Sequence, residues 1–332
     1  MRRILILIAC LLISVLPVLA IGCGDDDPEV LVLYSGRVES LIAPAIEKFT
    51  EDTGIKVEVR YAGSVDLALT IIEEGNKSPA DLFLSKSPGP VGLLGEKGRL
   101  AKLSEETLDL APASATGLWT AITGRQRVLV YNTELLSHDE LPMTIAELTS
   151  EKWAGRIAIA PGNGSFQDFF TLFRLEAGDD VALAWLKSLK AGGAPTYSNN
   201  SGIVKAVNRG EVEAGLVNHY YNIRMKAEDP SMVSENHRFA DGDPAGVTIA
   251  TAIGVLDSSS NQKLAERFIQ WLLSERGQAH FAANTWEFPL AGNVSPRNGL
   301  EVPDSIDVGS FDKLGGGLER TLELIREAGY DY

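Results

Sequence analysis

Cysteine is nearly absent. The 332 residues hold two, Cys10 and Cys23. Cys10 lies inside the apolar run Ile4–Ala20, so removal of that leader leaves Cys23 alone. No disulfide within the chain is then available, and cysteine-held zinc or iron–sulfur centres are excluded. Histidine is almost as scarce. His138, His219, His237 and His280 are the only four, none at metal-binding spacing and none in a His-Glu-x-x-His pattern. Positive charge is short as well. Thirty Lys and Arg face 45 Asp and Glu, a formal net charge of -15, and loss of Arg2 and Arg3 with the leader brings it to -17. Such a field excludes nucleic-acid binding, which needs a basic footprint. Any anion site must be built locally against it. Catalytic patterns are missing too. Gly162-Asn163-Gly164-Ser165 is neither a phosphate-binding Walker loop nor a nucleophile elbow. The acidic residues are scattered, so no carboxylate pair can be nominated for glycoside chemistry. The expectation is a binding protein and not an enzyme.

What is present divides into a leader and two lobes. Arg2 and Arg3 followed by Ile4–Ala20 form the n-region and h-region of a signal peptide. Ala20-Ile21-Gly22-Cys23 resembles a bacterial lipobox, with Ala20 where leucine is more usual. On that reading residues 1–22 are removed, Cys23 becomes the lipidated N-terminus, and residues 23–29 are a tether. The alternative is an ordinary secreted protein with one spare thiol. The length suits two lobes better than one core, assigned as 30–126 with 247–298 and 127–246 with 299–332.

The alternation of elements sets the fold class. Strands over 30–34, 56–61 and 81–84 alternate with helices over 41–53, 65–74 and the stretch before Gly98. That β-α-β-α-β order predicts a sheet covered by helices. Right-handed crossovers put the loops 34–37, 62–64 and 85–87 on one rim. The alternation continues with strands over 127–131, 156–160, 213–217 and 247–255, and with helices over 166–176, 181–189, 202–209, 261–273, 275–283 and 318–328.

Asn218-His219-Tyr220-Tyr221 lies between an apolar strand and a helical run. Neighbouring side chains diverge within a strand or a helix, but at a corner between them two phenols can converge. Converging phenol oxygens suit a hard cation. The other reading has one ring in the core and one capping a surface. His219 beside the pair is open between a ligand role and none. Gly162–Ser165, between strand and helix, is either an anion-binding nest or a tight turn. Arg37 in the first rim loop, and Arg125 and Arg127 on one face of their strand, are anion-holding candidates or ordinary surface groups.

Several stretches together resemble the periplasmic ferric-iron-binding proteins of bacterial ABC importers. They are Tyr34-Ser35-Gly36-Arg37, Ser78–Phe83, Arg127–Asn132, Trp153–Arg156, Ser165–Asp168, Asn218–Tyr221 and Glu287–Leu290. The resemblance implies a two-lobed, type II periplasmic-binding-protein fold, each lobe a mixed sheet flanked by helices with a ligand cleft between them. It implies Fe(III) held by Tyr220 and Tyr221, with Tyr34 added from the first lobe. Arg37 and Arg125 would hold a synergistic anion, carbonate or phosphate, and Asn163, Gly164, Ser165, Asn200 and Asn218 match anion positions of another branch. The implied partners are an ABC permease and its ATPase, reached by a monomeric, lipid-anchored protein at the outer face of the cytoplasmic membrane or in the periplasm. Some branches use a histidine where Val38 stands, a glutamate where Ser85-Lys86-Ser87 stands, and a further tyrosine where Asn163 or Phe166 stands. Those departures keep open a different cargo, a phosphorylated sugar, phosphonate or similar anion.

Overall fold

The protein is described from a computed structural model covering residues 30–112, 117–246, 248–297, 300 and 317–331. The leader, Cys23 and the tether lie outside these residues, as does most of the expected second-lobe tail.

β1 (Val30–Ser35), α1 (Glu39–Thr53), β2 (Lys56–Tyr61), α2 (Ser64–Glu74), β3 (Leu82–Ser85) and α3 (Pro88–Glu96) follow the predicted alternation. β1 runs parallel to both β2 and β3. α1 buries Leu41, Ile42, Ala45, Ile46 and Phe49, the positions helical spacing places on one face. Gly54 ends it in the left-handed region at φ 75°, a conformation that costs glycine little.

After the short α4 (Glu105–Leu110) comes β4 (Trp119–Asn132), the strand that ties the molecule together. All 14 of its residues are buried. Trp119 to Gln126 pair with β8 (Thr248–Val255), which in turn pairs with β3. Arg127 to Tyr131 pair instead with β6 (Ala214–Asn218), and the same half also pairs with β7 (Ser234–His237). The strand therefore leaves one sheet and enters the other between Gln126 and Arg127. Sequence periodicity picks out only 127–131. Thr120, Thr123, Arg125 and Gln126 make the earlier half look too polar for a buried strand, and tertiary partners described below satisfy them.

The second sheet is completed by β5 (Ile157–Ala158), parallel to β6. It is flanked by α5 (Gly164–Ala177), α6 (Asp179–Ala191), α7 (Asn200–Asn208) and α8 (His219–Glu228). α7 lies very close to β6. A Cβ on Gly215 would sit 2.3 Å from Ile203 Cγ2, so only glycine permits this packing. α9 (Gln262–Leu273) and α10 (Glu275–Thr285) pack on the first sheet, burying Phe268, Ile269 and Leu272 against Phe49. β9 (Phe288–Pro289) then pairs with Thr123 and Gly124 of β4. α11 (Leu318–Glu327) packs Leu324 and Ile325 into the second core, with Phe169, Phe173 and Trp185.

Candidate metal and anion site

The rim loops of the first sheet are tied to one another. Gly36 N–H donates to Leu84 O at 2.7 Å, Ala62 N–H to Ser35 O at 3.3 Å, and Lys86 N–H to Ser64 Oγ at 3.0 Å. Gly36 is needed for this approach, since a Cβ there would lie 2.0 Å from Ser64 Oγ. The loops thereby present Arg37 and Lys86 to one small cleft, which Val38, Leu41, Arg125, Ser165, Tyr220 and Tyr221 complete.

The tyrosines enter from the opposite side. Asn218 ends β6 with extended backbone and α8 starts at once, so Tyr220 and Tyr221 fall in its first turn. Their rings stack at 4.3 Å between centroids and 27° between planes. Two side chains that would diverge along a helix thus project together into the cleft. Tyr220 is buried and Tyr221 half-buried. Among the described residues neither phenol oxygen has a hydrogen-bond partner. Burial, and then the neighbouring phenol, push Tyr220 well above its ordinary pKa, while Arg37 and Arg125 pull the other way.

Behind the pair lies a buried ion cluster. Arg37 donates from Nη1 to Glu287 Oε1 at 2.5 Å and from Nη2 to Oε2 at 3.2 Å, with side chains 3% and 0% exposed. Arg37 and Arg125 both donate to Thr251 Oγ1, at 2.9 and 2.8 Å, and Thr123 Oγ1 donates to Glu287 at 2.8 Å. Arg125 Nη1 stands 3.9 Å from Glu287, and its buried Nη2 has no hydrogen-bond partner among the described residues. Burial works against the charge on Arg37, but the Glu287 carboxylate, with Tyr220 and Tyr221 beside it, outweighs that and holds the guanidinium above its usual value. Burial would likewise raise Glu287, and the two arginines overcome it and hold the carboxylate low. Arg125 and Lys86 are both depressed, first by burial.

The remaining expected anion residues separate by role. Asn218 Nδ2 donates to Ser165 Oγ at 3.2 Å, while its Oδ1 accepts from Arg127 Nη1 at 3.2 Å. Asn200 Oδ1 accepts from the same Nη1 at 3.3 Å, and its buried Nδ2 has no hydrogen-bond partner among the described residues. Asn163 caps α5, accepting from Ser165 N–H at 3.1 Å. Gly164 opens the first turn of α5, facing Ser87 across the cleft. Of this group Ser165 alone lines the cleft with the tyrosines. Arg127, which the sequence offers with Arg125 as an anion-holding candidate or a surface group, is instead the buried donor that holds Asn200 and Asn218. One turn into α5, Asp168 is 1% exposed and both its oxygens lack a well-formed hydrogen bond. Burial pushes its carboxyl up to about 7, against the opposing pull of Ser87, Arg125 and the Gly89 amide.

Two candidate residues lie apart from the cleft, Tyr34, expected as a ligand, and His219, which the sequence leaves open. Tyr34 does not join the pair. Strand alternation turns it into the layer beneath α2, where it packs with Leu67 and Phe83. Its hydroxyl donates to Glu74 at 3.0 Å and accepts from Arg60 at 3.1 Å, at the end of α2 remote from the rim. His219 has no nitrogen free for a metal. Nδ1 accepts from Gln126 N–H at 3.1 Å and Nε2 meets Trp286 O at 2.8 Å, which fixes the neutral tautomer protonated at Nε2. Its ring stacks on Phe288 at 4.6 Å, and burial lowers its pKa to about 4. Glu287 is the residue that sequence reasoning leaves without a role. It stands 250 positions from Arg37, and the Glu287–Leu290 stretch carries only a family likeness. Among the described residues no group of three His, Cys, Asp or Glu could hold a metal ion.

The fold defines the class of an extracellular solute-binding protein, and the cleft sets an oxygen-donor pair against buried cations. The chain belongs to the bacterial extracellular solute-binding protein family, whose model matches residues 34–279. It is 31% identical over 305 residues to the Fe(3+)-binding periplasmic protein of Serratia marcescens, with 90% of each chain covered. It is 32% identical over 312 residues to the major ferric iron-binding protein of Neisseria meningitidis serogroup B, covering 90% of this chain and 92% of that one. Iron-bound HitA from Pseudomonas aeruginosa matches with a TM-score of 0.86 at 32% identity, covering 91% of this chain and 100% of that one. The two-lobed type II periplasmic-binding-protein fold expected from the sequence is the fold this chain has.

Proposed function

We propose that this protein is the extracytoplasmic receptor of an ABC importer. It binds Fe(III) through the phenolates of Tyr220 and Tyr221, with a carbonate or phosphate anion held by Arg37 and Arg125, and delivers the ion to a permease and its ATPase. The observation that carries this reading is the pair of stacked phenols with unpartnered oxygens, set against buried cations. A neutral phenol, with an ordinary pKa of about 10, is a poor ligand. A trivalent Lewis acid displaces its proton, as cations do for other coordinating groups. Arg37 and Arg125 lie close enough to favour the phenolates that result. Ser165, held by Asn218, lines the same cleft from α5. The protein binds and releases without turnover.

The lobes in this proposal are residues 30–126 with 247–298 and 127–246 with 299–332. β4 changes sheets between Gln126 and Arg127, which supports a hinge there, with β8 bordering the second crossing. Closure about these strands brings the tyrosines of one lobe toward Arg37 of the other. Cys23, lipidated, would anchor the monomer at the cell envelope, and mass spectrometry of the mature N-terminus checks it.

A second reading keeps the fold and replaces iron with a phosphorylated sugar or phosphonate. The cations of the cleft favour it, as does the absence, among the described residues, of a carboxylate lining the cleft beside the phenols. The stacked phenols oppose it, because two unpartnered phenol oxygens suit a hard cation and an organic phosphate has no need of them. Thermal-shift measurements with Fe(III) plus carbonate, and separately with phosphorylated sugars and phosphonates, separate the two. Stabilisation by the metal and not by the organic phosphates is the expected result.

A further inference from the structure

His219 is the member of the Asn218–Tyr221 corner to which metal binding gives no task. Its side chain is buried, with Nδ1 accepting from Gln126 N–H at 3.1 Å and Nε2 donating to Trp286 O at 2.8 Å. Both partners lie across the crossing point of β4. Gln126 is the last β4 residue paired with β8, and Trp286 leads into β9, which pairs with that same half of β4. His219 instead follows β6, which pairs with the other half. On the lobe division proposed above, the backbone of His219 sits in one lobe and both its side-chain hydrogen bonds end in the other. Its ring continues the connection. It stacks on Phe288 at 4.6 Å and 4°, and meets the ring of Tyr220 edge-on at 6.0 Å and 83°. Tyr220 in turn stacks on Tyr221.

Trp286, Glu287 and Phe288 therefore hold both walls of the cleft at once. The first and third grip His219, next to the phenols. The middle one takes Arg37 through two hydrogen bonds, with Arg125 3.9 Å away. Trp286 reaches this position in the left-handed region, at φ 59° and ψ 21°. That conformation is costly for a bulky side chain and persists where the surroundings over-determine it. Here the guanidinium of Arg297 lies 3.8 Å over the Trp286 ring, while the Trp286 carbonyl is held by His219. The spacing between phenols and guanidiniums is thus set by three consecutive residues and one imidazole. Groups behind metal ligands hold their geometry to about 0.5 Å, and loss of one typically costs about 10–100-fold in metal affinity.

We propose that His219 is a positioning residue. Without touching the metal, it holds the tyrosine corner at a fixed spacing from Arg37 and Arg125 through Trp286 and Phe288, and so governs how long the metal is retained. The inference rests on the ferric-binding reading for its metal half. The coupling of the two walls stands on the iron-free protein.

The test loads Fe(III) with carbonate and reads two quantities, the maximum of the visible phenolate-to-iron band and the half-time of iron removal by excess chelator. His219→Phe keeps a ring against Phe288 and removes both hydrogen bonds. It should retain the band, because both phenols remain, but shift its maximum and release iron at least about tenfold faster. His219→Gln, whose amide N–H can still donate to Trp286 O, should recover most of both changes. A merely structural role would lower the melting temperature of both variants and leave the band where it is. Phe288→Leu removes the stacked ring from the other lobe and should shift the band as well. It takes the place of His219→Phe throughout if that variant does not fold. A metal-free arm melts His219→Phe, Glu287→Gln and the double variant. Because both changes act on the same three residues, the double variant's loss should fall short of the sum by about 2 °C or more. Additive losses, an unmoved band with unchanged release, or no recovery in His219→Gln overturns the proposal. Wild type that takes up no iron overturns the ferric reading, and the metal-free arm then decides the positioning role alone.

Discussion

Glu287→Gln is the substitution that probes the buried cluster most directly. The glutamine can still accept from Arg37, but it removes the one carboxylate from between two guanidiniums that are 3% and 1% exposed and share the hydroxyl of Thr251. Breaking a buried ion pair by removing one partner costs about 3–5 kcal/mol. The surviving hydrogen bond argues for the lower end, about 3 kcal/mol. For a chain of this size each kcal/mol moves Tm by about 2–4 °C, so the iron-free variant should melt about 6–12 °C below wild type. The arginines set free by the change become a better anion site. Phosphate at about one hundred times its Kd contributes about 2.7 kcal/mol, enough to restore most of the loss. The assay is thermal unfolding of both proteins across a phosphate series. The expected pattern is a large deficit without phosphate that narrows as phosphate rises. Equal melting without phosphate, or equal phosphate stabilisation of the two proteins, would refute the view that Glu287 balances the arginines.

Two further outcomes follow from the titrating groups. His219 is held neutral with its pKa near 4, below the unfolded value of about 6.5, so its contribution to stability is present above about pH 6.5 and fades as pH falls toward 4. Asp168, pushed up to about 7 from an unfolded value near 3.9, acts in the opposite sense, costing stability as pH rises from about 4 to 7. The two offset each other in wild type. Asp168→Asn should expose the histidine term, and its stability by urea unfolding should then fall by about 2–3 kcal/mol more than that of wild type between pH 7.5 and pH 4.5. A variant whose pH dependence matches wild type would contradict the assignment. Iron binding should itself release protons, about two per ion if both phenols ionise, because neutral Tyr220 is favoured in the empty site. Competition with a chelator at pH 6 and pH 7.5 should show the tighter complex at the higher pH, and an affinity independent of pH would exclude phenolate ligation.

The frame of the molecule was legible wherever local periodicity and burial agree. Leu41, Ile42, Ala45, Ile46 and Phe49 mark α1 on sequence alone, and Gly54 marks its end. The first half of β4 was not legible, because a strand carrying Thr123, Arg125 and Gln126 reads as exposed until Glu287, Thr251 and the Gly246 carbonyl are brought to it. The same distance in sequence hid Glu287. Tyr34 misled for a subtler reason. Its position at the end of β1 is near the rim, but alternation along the strand decides the face, and that face belongs to α2 and Glu74. The tyrosine corner was readable because an apolar strand and a polar helix abut there with no loop between them, so one backbone turn brings both phenols to the same cleft.

The central claim is that two phenolates hold a ferric ion, and visible absorption tests it most directly. Wild type loaded with Fe(III) in the presence of carbonate should develop a phenolate-to-iron charge-transfer band. Tyr220→Phe and Tyr221→Phe should each weaken or shift that band, and the double variant should abolish it, while Tyr34→Phe should leave it unchanged. A colourless wild-type protein, or a band that persists in the double variant, would contradict the account.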